Sequence, residues 1–357
     1  MSDQETGDTI IRDTTARIFA DLADPQALNA AENEAWKGPL WSALEDAGLT
    51  LAWVSEDRGG AGAGLADGFE ILRVAGQYAA PVAIAETLLA GYYLDAAGIG
   101  CPSGPLTLAP VRLGDSLTCD GDGTISGLVR TVPHVHDARA VVVVAEREAD
   151  QVIALMAPGT YSGERRRTDM GGERADITFQ NVYPVEMAPV PPGWHQDTPM
   201  LVGAAVRVVQ MTGALETVLE LSVRYAGERV AFGRPIAKFQ AVQQSLARLA
   251  GEVAAALAAS GSAADALARA EEFDQALFLE IAAAKIRVGE AAAEGAAIAH
   301  QVHGAIGWTA EHILQRYTRR LYGWRDDFGA ESHWAAMLGD MVTEAGAEAL
   351  WPMLAAR

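Results

Sequence analysis

Gln301 to Trp334 reads QVHGAIGWTAEHILQRYTRRLYGWRDDFGAESHW. The stretch opens on a glycine-bearing turn, Gln301-Val302-His303-Gly304-Ala305-Ile306-Gly307, directly after a long alanine-rich helical pattern. Further helical patterns begin at Thr309 and after Gly329. Glycine at such a junction stops a helix, because without a Cβ it enters left-handed backbone freely. It also lets backbone approach a bulky anion, toward which the amides and dipole of a following helix point. On these residues alone both readings stand.

Working outward, the helical pattern reaches far upstream. Leu201 to Tyr225 predicts one long helix, and Val242, Leu246, Leu249 and Val253 recur at helical spacing along a second. Leu277, Ile281, Ala284 and Val288 mark a third, with Ser260-Gly261-Ser262 predicting a break between them. Pro189, Pro191, Pro192 and Gly193 predict a linker. Before it, short β-branched or apolar runs alternate with turn residues: Leu106–Ala109, Ser116–Cys119, Ile125–Val132, Ala140–Ala145, Val152–Met156 and Ile177–Val182. Asp120-Gly121-Asp122-Gly123 is a hairpin signal between two of them. This part predicts a small β-barrel or sandwich.

The first hundred or so residues predict helices around Ile10, Ile11, Ala16 and Phe19, around Trp41 to Leu44, and over Leu65–Tyr78 and Ile84–Ala97. Gly59-Gly60-Ala61-Gly62-Ala63-Gly64 lacks the preceding strand of a dinucleotide-binding unit, so it reads as a turn between helices. The expected division is 1–100 helical, 101–190 β and 196–357 helical.

Composition narrows the function classes. The chain has 357 residues and a net charge of −20, which argues against nucleic acid or an anionic membrane surface as partner. No uninterrupted apolar run is long enough to cross a bilayer, and MSDQETGDTIIRD is too polar for a signal peptide, so a cytoplasmic setting is expected. Cys101 and Cys119 show no metal or redox spacing. His134 and His136 have same-face strand spacing but no third ligand, so no metal site is expected.

A second motif joins the first. Arg229-Val230-Ala231-Phe232-Gly233-Arg234-Pro235-Ile236 leads to Phe239-Gln240, giving R-x-x-F-G-x-x-I-x-x-F-Q, and Q-x-x-G-x-x-G-x-T-x-E follows from Gln301. Together they resemble the C-terminal domain of the acyl-CoA dehydrogenase family. The resemblance implies a mostly α fold with a middle β-domain: an N-terminal helical domain, a small β-barrel or sandwich, and a C-terminal four-helix bundle that tetramerises. It also implies FAD. The family holds the FAD pyrophosphate and adenine across a subunit interface, and the matching positions here are Arg229, Phe232, Gln240, Gln301, Gly304 and Ala305, the last where the family usually has glycine. His303 either faces the same cofactor or packs beside the turn.

The family reaction removes an α-proton from an acyl-CoA thioester with a carboxylate base. That base must be desolvated enough for its pKa to rise. Aligning the turn puts Phe328 at one family position for the base, and counting back from Arg229 puts Gly203 at the other. Asp326 and Asp327 flank Phe328 and are the fallback bases. The flavin-seating motifs of the middle domain are also unmatched at Leu106–Arg112 and Arg130–His134. This pattern resembles the non-catalytic subunit of the heterotetrameric (α2β2) acyl-CoA dehydrogenases of bacterial steroid side-chain degradation. It implies a catalytic partner subunit and an acyl-CoA substrate. Two alternatives stay open: a self-sufficient homo-oligomeric enzyme using Asp327 or Asp326, and a flavin-free scaffold. Arg165-Arg166-Arg167 suits CoA phosphates or a solvated loop. Glu216 and Glu220 read as solvated, and Trp308, Trp324 and Trp334 as bundle core.

Overall fold

The structure is a computed structural model that describes residues 3–168 and 172–355, with side chains described outside 3–9 and 164–168. The chain forms two compact units, Met1–Pro199 and Met200–Arg357.

In the first unit, α1 (Asp3–Leu22) packs on α3 (Lys37–Asp46) and α4 (Leu65–Tyr78), and the short α2 (Pro25–Ala30) follows α1 in the chain. The Asp24 carboxylate caps α2 by accepting from the Ala27 N–H at 2.8 Å. The glycine run is a structural turn. Gly60, Ala61, Gly62 and Ala63 donate backbone hydrogen bonds to Ser55, Leu51, Val54 and Ala52, which satisfies the loop locally.

Helix α5 (Ile84–Ala96) passes the chain to strands β1 (Leu106–Ala109), β2 (Leu117–Cys119), β3 (Ile125–Pro133), β4 (Ala140–Arg147), β5 (Asp150–Met156), β6 (Ser162–Thr168), β7 (Gly172–Val182) and β8 (Glu186–Pro189). They join one eight-stranded sheet in the order β6-β7-β3-β2-β4-β5-β8, with β1 parallel to β4. Asp120–Gly123 turns β2 into β3, which pair antiparallel from Cys119↔Ile125. Val129, Val132, Val141, Val143, Met156, Ile177 and Phe179 share one apolar core. Over β1 and β4 the other face of the sheet is buried too: α5 packs there, and the Thr87 hydroxyl accepts from the Leu106 N–H at 2.9 Å.

Strands β6 and β8 were not expected. SGERRRT and EMAP carry charge or proline instead of an apolar alternation, and pairing with β7 and β5 makes them strands. The side chains of Arg165, Arg166 and Arg167 lie outside the described residues.

The second unit is helical: α6 (Thr198–Glu228), α7 (Gln240–Arg269), α8 (Gln275–His303), α9 (Leu314–Asp326), α10 (Glu331–Ala345) and α11 (Ala347–Ala355). Between α6 and α7, β9 (Val230–Ala231) and β10 (Arg234–Pro235) form a two-stranded hairpin. Helix α6 is long and apolar enough to cross a membrane by composition, yet 89% of that window is buried inside the protein, as a core helix requires. The expected stripe on α8 is buried in full.

Two boundaries differ from expectation. The chain runs helically through Ser260-Gly261-Ser262 to Arg269, because Ser260 and Ala263 lie on the buried face of α7. The helix expected at Thr309 starts at Leu314, after a 3-10 turn over Gly304–Trp308. Gly261 is exposed inside α7, and a Cβ there would meet nothing within 4 Å. Gly261→Ala is therefore expected to stabilise the protein by about 0.5–1 kcal/mol through helix propensity. A thermal midpoint that falls would show that this turn of α7 needs its glycine.

Candidate functional site

The two sequence motifs meet in the helical unit. The Arg229 N–H donates to the Tyr225 carbonyl at 2.8 Å, one turn back on α6, and the Tyr225 ring stacks on His303 with centroids 4.5 Å apart. This brings the end of α6 against the end of α8. The Ile236 N–H donates to the Arg229 carbonyl at 2.8 Å, which closes the hairpin, and Gln240 opens α7 after a 3-10 turn over Ile236–Lys238. Phe232 and Gly233 both take positive φ at the hairpin tip, where a tight two-residue turn demands it. Phe232 is 96% exposed there. Arg229, Gln240, Gln301, Gly304 and Ala305 are exposed as well.

Gly304 ends α8 at φ 65, and a Cβ there would have open space around it. Ala305 stays out of the left-handed region, so its methyl group does not strain the turn. Behind the turn lies a cluster of neutral imidazoles. His303 Nδ1 lies 2.8 Å from the Ala299 carbonyl, which can only accept, so Nδ1 carries the proton and Nε2 is an acceptor. That Nε2 is buried without a partner among the described residues, as is Nδ1 of His300. His300 Nε2 meets the Thr318 hydroxyl at 2.9 Å, and its ring stacks on Trp308 at 3.7 Å. Burial lowers the pKa of His300, His303 and His312, that of His303 to about 4. Trp308 is 68% exposed and so lies outside the core, unlike Trp324 and Trp334.

The fallback bases lie in a differently built segment. Asp327 is 3% exposed, and its Oδ2 accepts from Nε and Nη2 of Arg207, both at 3.0 Å. Arg207 Nη1 donates to Gln210 Oε1 at 2.7 Å. Phe328 is fully buried against Gly203: a Cβ on Gly203 would fall 2.4 Å from the Phe328 ring. Gly203 and Arg207 are four residues apart, so α6 presents a hollow and a cation on one face. The adjacent Asp327 and Phe328 fit that pair. Thus the two positions aligned with the family base pack on each other.

Phe328 takes φ 55, a strained conformation for an aromatic residue. The surroundings impose it. Lys285 Nζ donates to the carbonyls of Arg325 at 2.6 Å and Gly329 at 2.7 Å, and Trp334 Nε1 donates to the Phe328 carbonyl at 3.0 Å. Burial brings the Lys285 pKa down to about 8, against the pull of Asp327, Glu331 and Asp326. Arg325 Nε donates to Glu331 at 2.5 Å. Asp326 is exposed, and partial desolvation raises its pKa.

Arg207 and Lys285 are absent from the sequence-based candidates. Their one signal was a lone charge in an apolar helical run, Lys285 standing four residues after Ile281 on the α8 stripe.

The remaining candidates fall outside these clusters. His134 lies 4.0 Å from Glu86 and His136 3.7 Å from Glu173, each in a turn after β3. Arg130, in one unmatched flavin-seat segment, pairs with Asp115 at 2.7 Å. Glu216 is half-buried and Glu220 exposed. Burial pushes the Cys101 thiol up to about 12, which leaves it protonated and unreactive.

A helical unit, an eight-stranded sheet and a helical unit carrying these motifs define an acyl-CoA dehydrogenase fold, and the family model "Acyl-CoA dehydrogenase, C-terminal domain" matches residues 193–325. Acyl-CoA dehydrogenase IpdE2 of Mycobacterium tuberculosis is 30% identical over 325 residues, covering 88% of this chain and 90% of the relative. IpdE2 of Mycolicibacterium smegmatis is 29% identical over 320 residues, covering 88% and 92%. The chain belongs to the acyl-CoA dehydrogenase family, a family of oxidoreductases. Its fold is shared with a chain of the ChsE4–ChsE5 complex from Mycobacterium tuberculosis, at TM-score 0.82 and 22% identity over 97% of this chain and 99% of that one. A variant of the Tcur3481–Tcur3483 steroid ACAD gives TM-score 0.82 and 25% identity over 95% and 98%.

Two outcomes are expected. Asp327→Asn leaves Arg207 buried without its counter-charge and is expected to cost about 3–5 kcal/mol in urea unfolding. No change would mean that the pair is not closed in solution. His303 binds its proton more weakly folded than unfolded, so its contribution to stability is lost as pH falls from 6.5 toward about 4. His303→Gln should flatten the pH dependence of the unfolding midpoint across that window, and an unchanged slope would argue that His303 is hydrated.

Proposed function

We propose that this chain is the non-catalytic subunit of a heteromeric FAD-dependent acyl-CoA dehydrogenase, completing the FAD site of a catalytic partner. The observation that carries the reading is the Phe328 ring seated on Gly203. Both positions aligned with the family base lack a carboxylate, and Asp327 is committed to Arg207.

The exposed residues of the two motifs suit FAD. Arg229 supplies a guanidinium that makes no ion pair among the described residues, Gln240 and Gln301 supply carboxamides, and Gly304 leaves room for close approach of an anion. Ala305 continues that turn, Phe232 offers an apolar contact at the hairpin tip, and the buried His303 packs behind the turn against Tyr225. FAD, when bound, accepts the electrons removed from the acyl chain. Residues 196–357 are assigned as the FAD-gripping and oligomerisation domain. A bulky steroid-type acyl-CoA is the proposed substrate of the complex, by analogy with the steroid ACAD of the shared fold.

Flavin content tests this reading, measured on the chain purified alone and after co-expression with the acyl-CoA dehydrogenase chain encoded nearest to it. The expected result is a colourless chain that becomes part of a yellow, active complex with one FAD per heterodimer. Arg229→Ala should then weaken FAD retention by roughly 10-fold or more, as loss of a charge-assisted contact does. A chain already yellow and active alone supports the self-sufficient enzyme, and a flavin-free complex supports the scaffold. In the active complex, Asp326→Asn should leave turnover unchanged. So should the paired exchange of Arg207→Gln with Asp327→Asn, which removes both charges together. Loss of a true base costs at least roughly 10²-fold, and a drop of that size would return the base to this chain.

A further inference from the structure

Arg320 on α9 is 7% exposed, yet no carboxylate pairs with it among the described residues. Among the described residues its one hydrogen bond runs from Nη1 to the Arg316 carbonyl at 3.3 Å. Arg316, one turn earlier on the same helix face, is half-buried, and its Nε is buried without a partner. Burial and the neighbouring Arg316 lower the pKa of Arg320 to about 9. Four other cations of this unit that are at least partly buried have partners: Arg207 has Asp327, Lys285 has two carbonyls, Arg287 has Glu252 and Arg325 has Glu331. Scarcity of carboxylates is not the reason, since the chain carries a net charge of −20. A buried charge without a counter-charge is strongly unfavourable, and Arg320 is one, with the half-buried Arg316 beside it on the same helix face.

We propose that Arg316 and Arg320 form a two-guanidinium receptor for a carboxylate presented by the catalytic partner subunit. The inference rests on the heteromeric reading above. Guanidinium forks match a carboxylate bidentately, and two of them four residues apart grip it from adjacent turns. Only an edge of Arg320 is open. A freely diffusing phosphate would keep most of its water at such an edge, whereas a carboxylate set in a folded surface arrives already oriented and partly desolvated. The isolated chain thus carries an electrostatic defect that assembly repairs, which favours the complex over the free subunit.

The test measures the thermal midpoint of the chain alone and its affinity for the catalytic chain encoded nearest to it. Arg320→Met removes the unpaired charge and keeps the stem. It is expected to raise the midpoint of the lone chain while weakening the complex roughly 30-fold or more. Arg316→Met, at a less buried site, should weaken the complex in the same sense. Arg320→Lys should fall between wild type and Arg320→Met, because charge remains but the fork does not. A lone chain destabilised by Arg320→Met would mean that the guanidinium is satisfied internally, and the receptor is then wrong. Undiminished affinity in both methionine variants overturns it as well. If inorganic phosphate raises the midpoint of wild type but not of Arg320→Met, the site takes a free oxyanion instead. A wild-type chain that does not associate at all sinks the heteromeric reading, which separates that failure from this one.

Discussion

The ion pair between Arg207 and Asp327 joins the first helix of the helical unit to the segment after α9, with both side chains almost fully buried. A buried pair of this kind adds little net stability over an apolar substitute, but breaking it is costly, so it acts as a registration device. It brings Phe328 down onto Gly203 one turn away on α6, and Lys285 and Trp334 then hold the carbonyls of the same loop. The left-handed backbone of Phe328 persists because these contacts over-determine it.

The same helical unit has a second, contrasting end. Around Phe328 the buried side-chain donors of Arg207, Lys285 and Trp334 find internal acceptors, and the ring fills the hollow at Gly203. Around Arg229 and Gly304, charged, amide and aromatic groups face outward, and a buried imidazole nitrogen stays unsatisfied. The long buried helix α6 carries both ends: Gly203 and Arg207 near its start, Tyr225 near its finish. A subunit that reaches out to a cofactor while its own base positions are filled is what this division supports.

Much of the fold is legible in the sequence because it rests on periodicity. Leu65–Tyr78 and Leu106–Ala109 are found where their apolar spacing places them. The misses have physical causes. SGERRRT becomes a strand through pairing with β7, and Ser260 stays helical because burial on α7 outweighs its weak propensity. The motif residues Arg229, Gln240, Gln301 and Gly304 stand out because each of the two motifs is a short run of fixed spacing, and they lie on the surface at the ends of α6, α7 and α8. Arg207 and Lys285 do not, because their partners lie 120 and 40 to 44 residues away and nothing nearby announces them.

The fit of Phe328 into the hollow at Gly203 also constrains how this lineage can change. Any side chain added at position 203 collides with the ring unless position 328 shrinks first, and a carboxylate set at 328 would sit in a dry hollow shaped for an aromatic ring. Each half of the plug penalises a change in the other, so positions 203 and 328 are expected to change together. The plug is thus a two-part latch, in which neither residue can be exchanged without a cost set by the other.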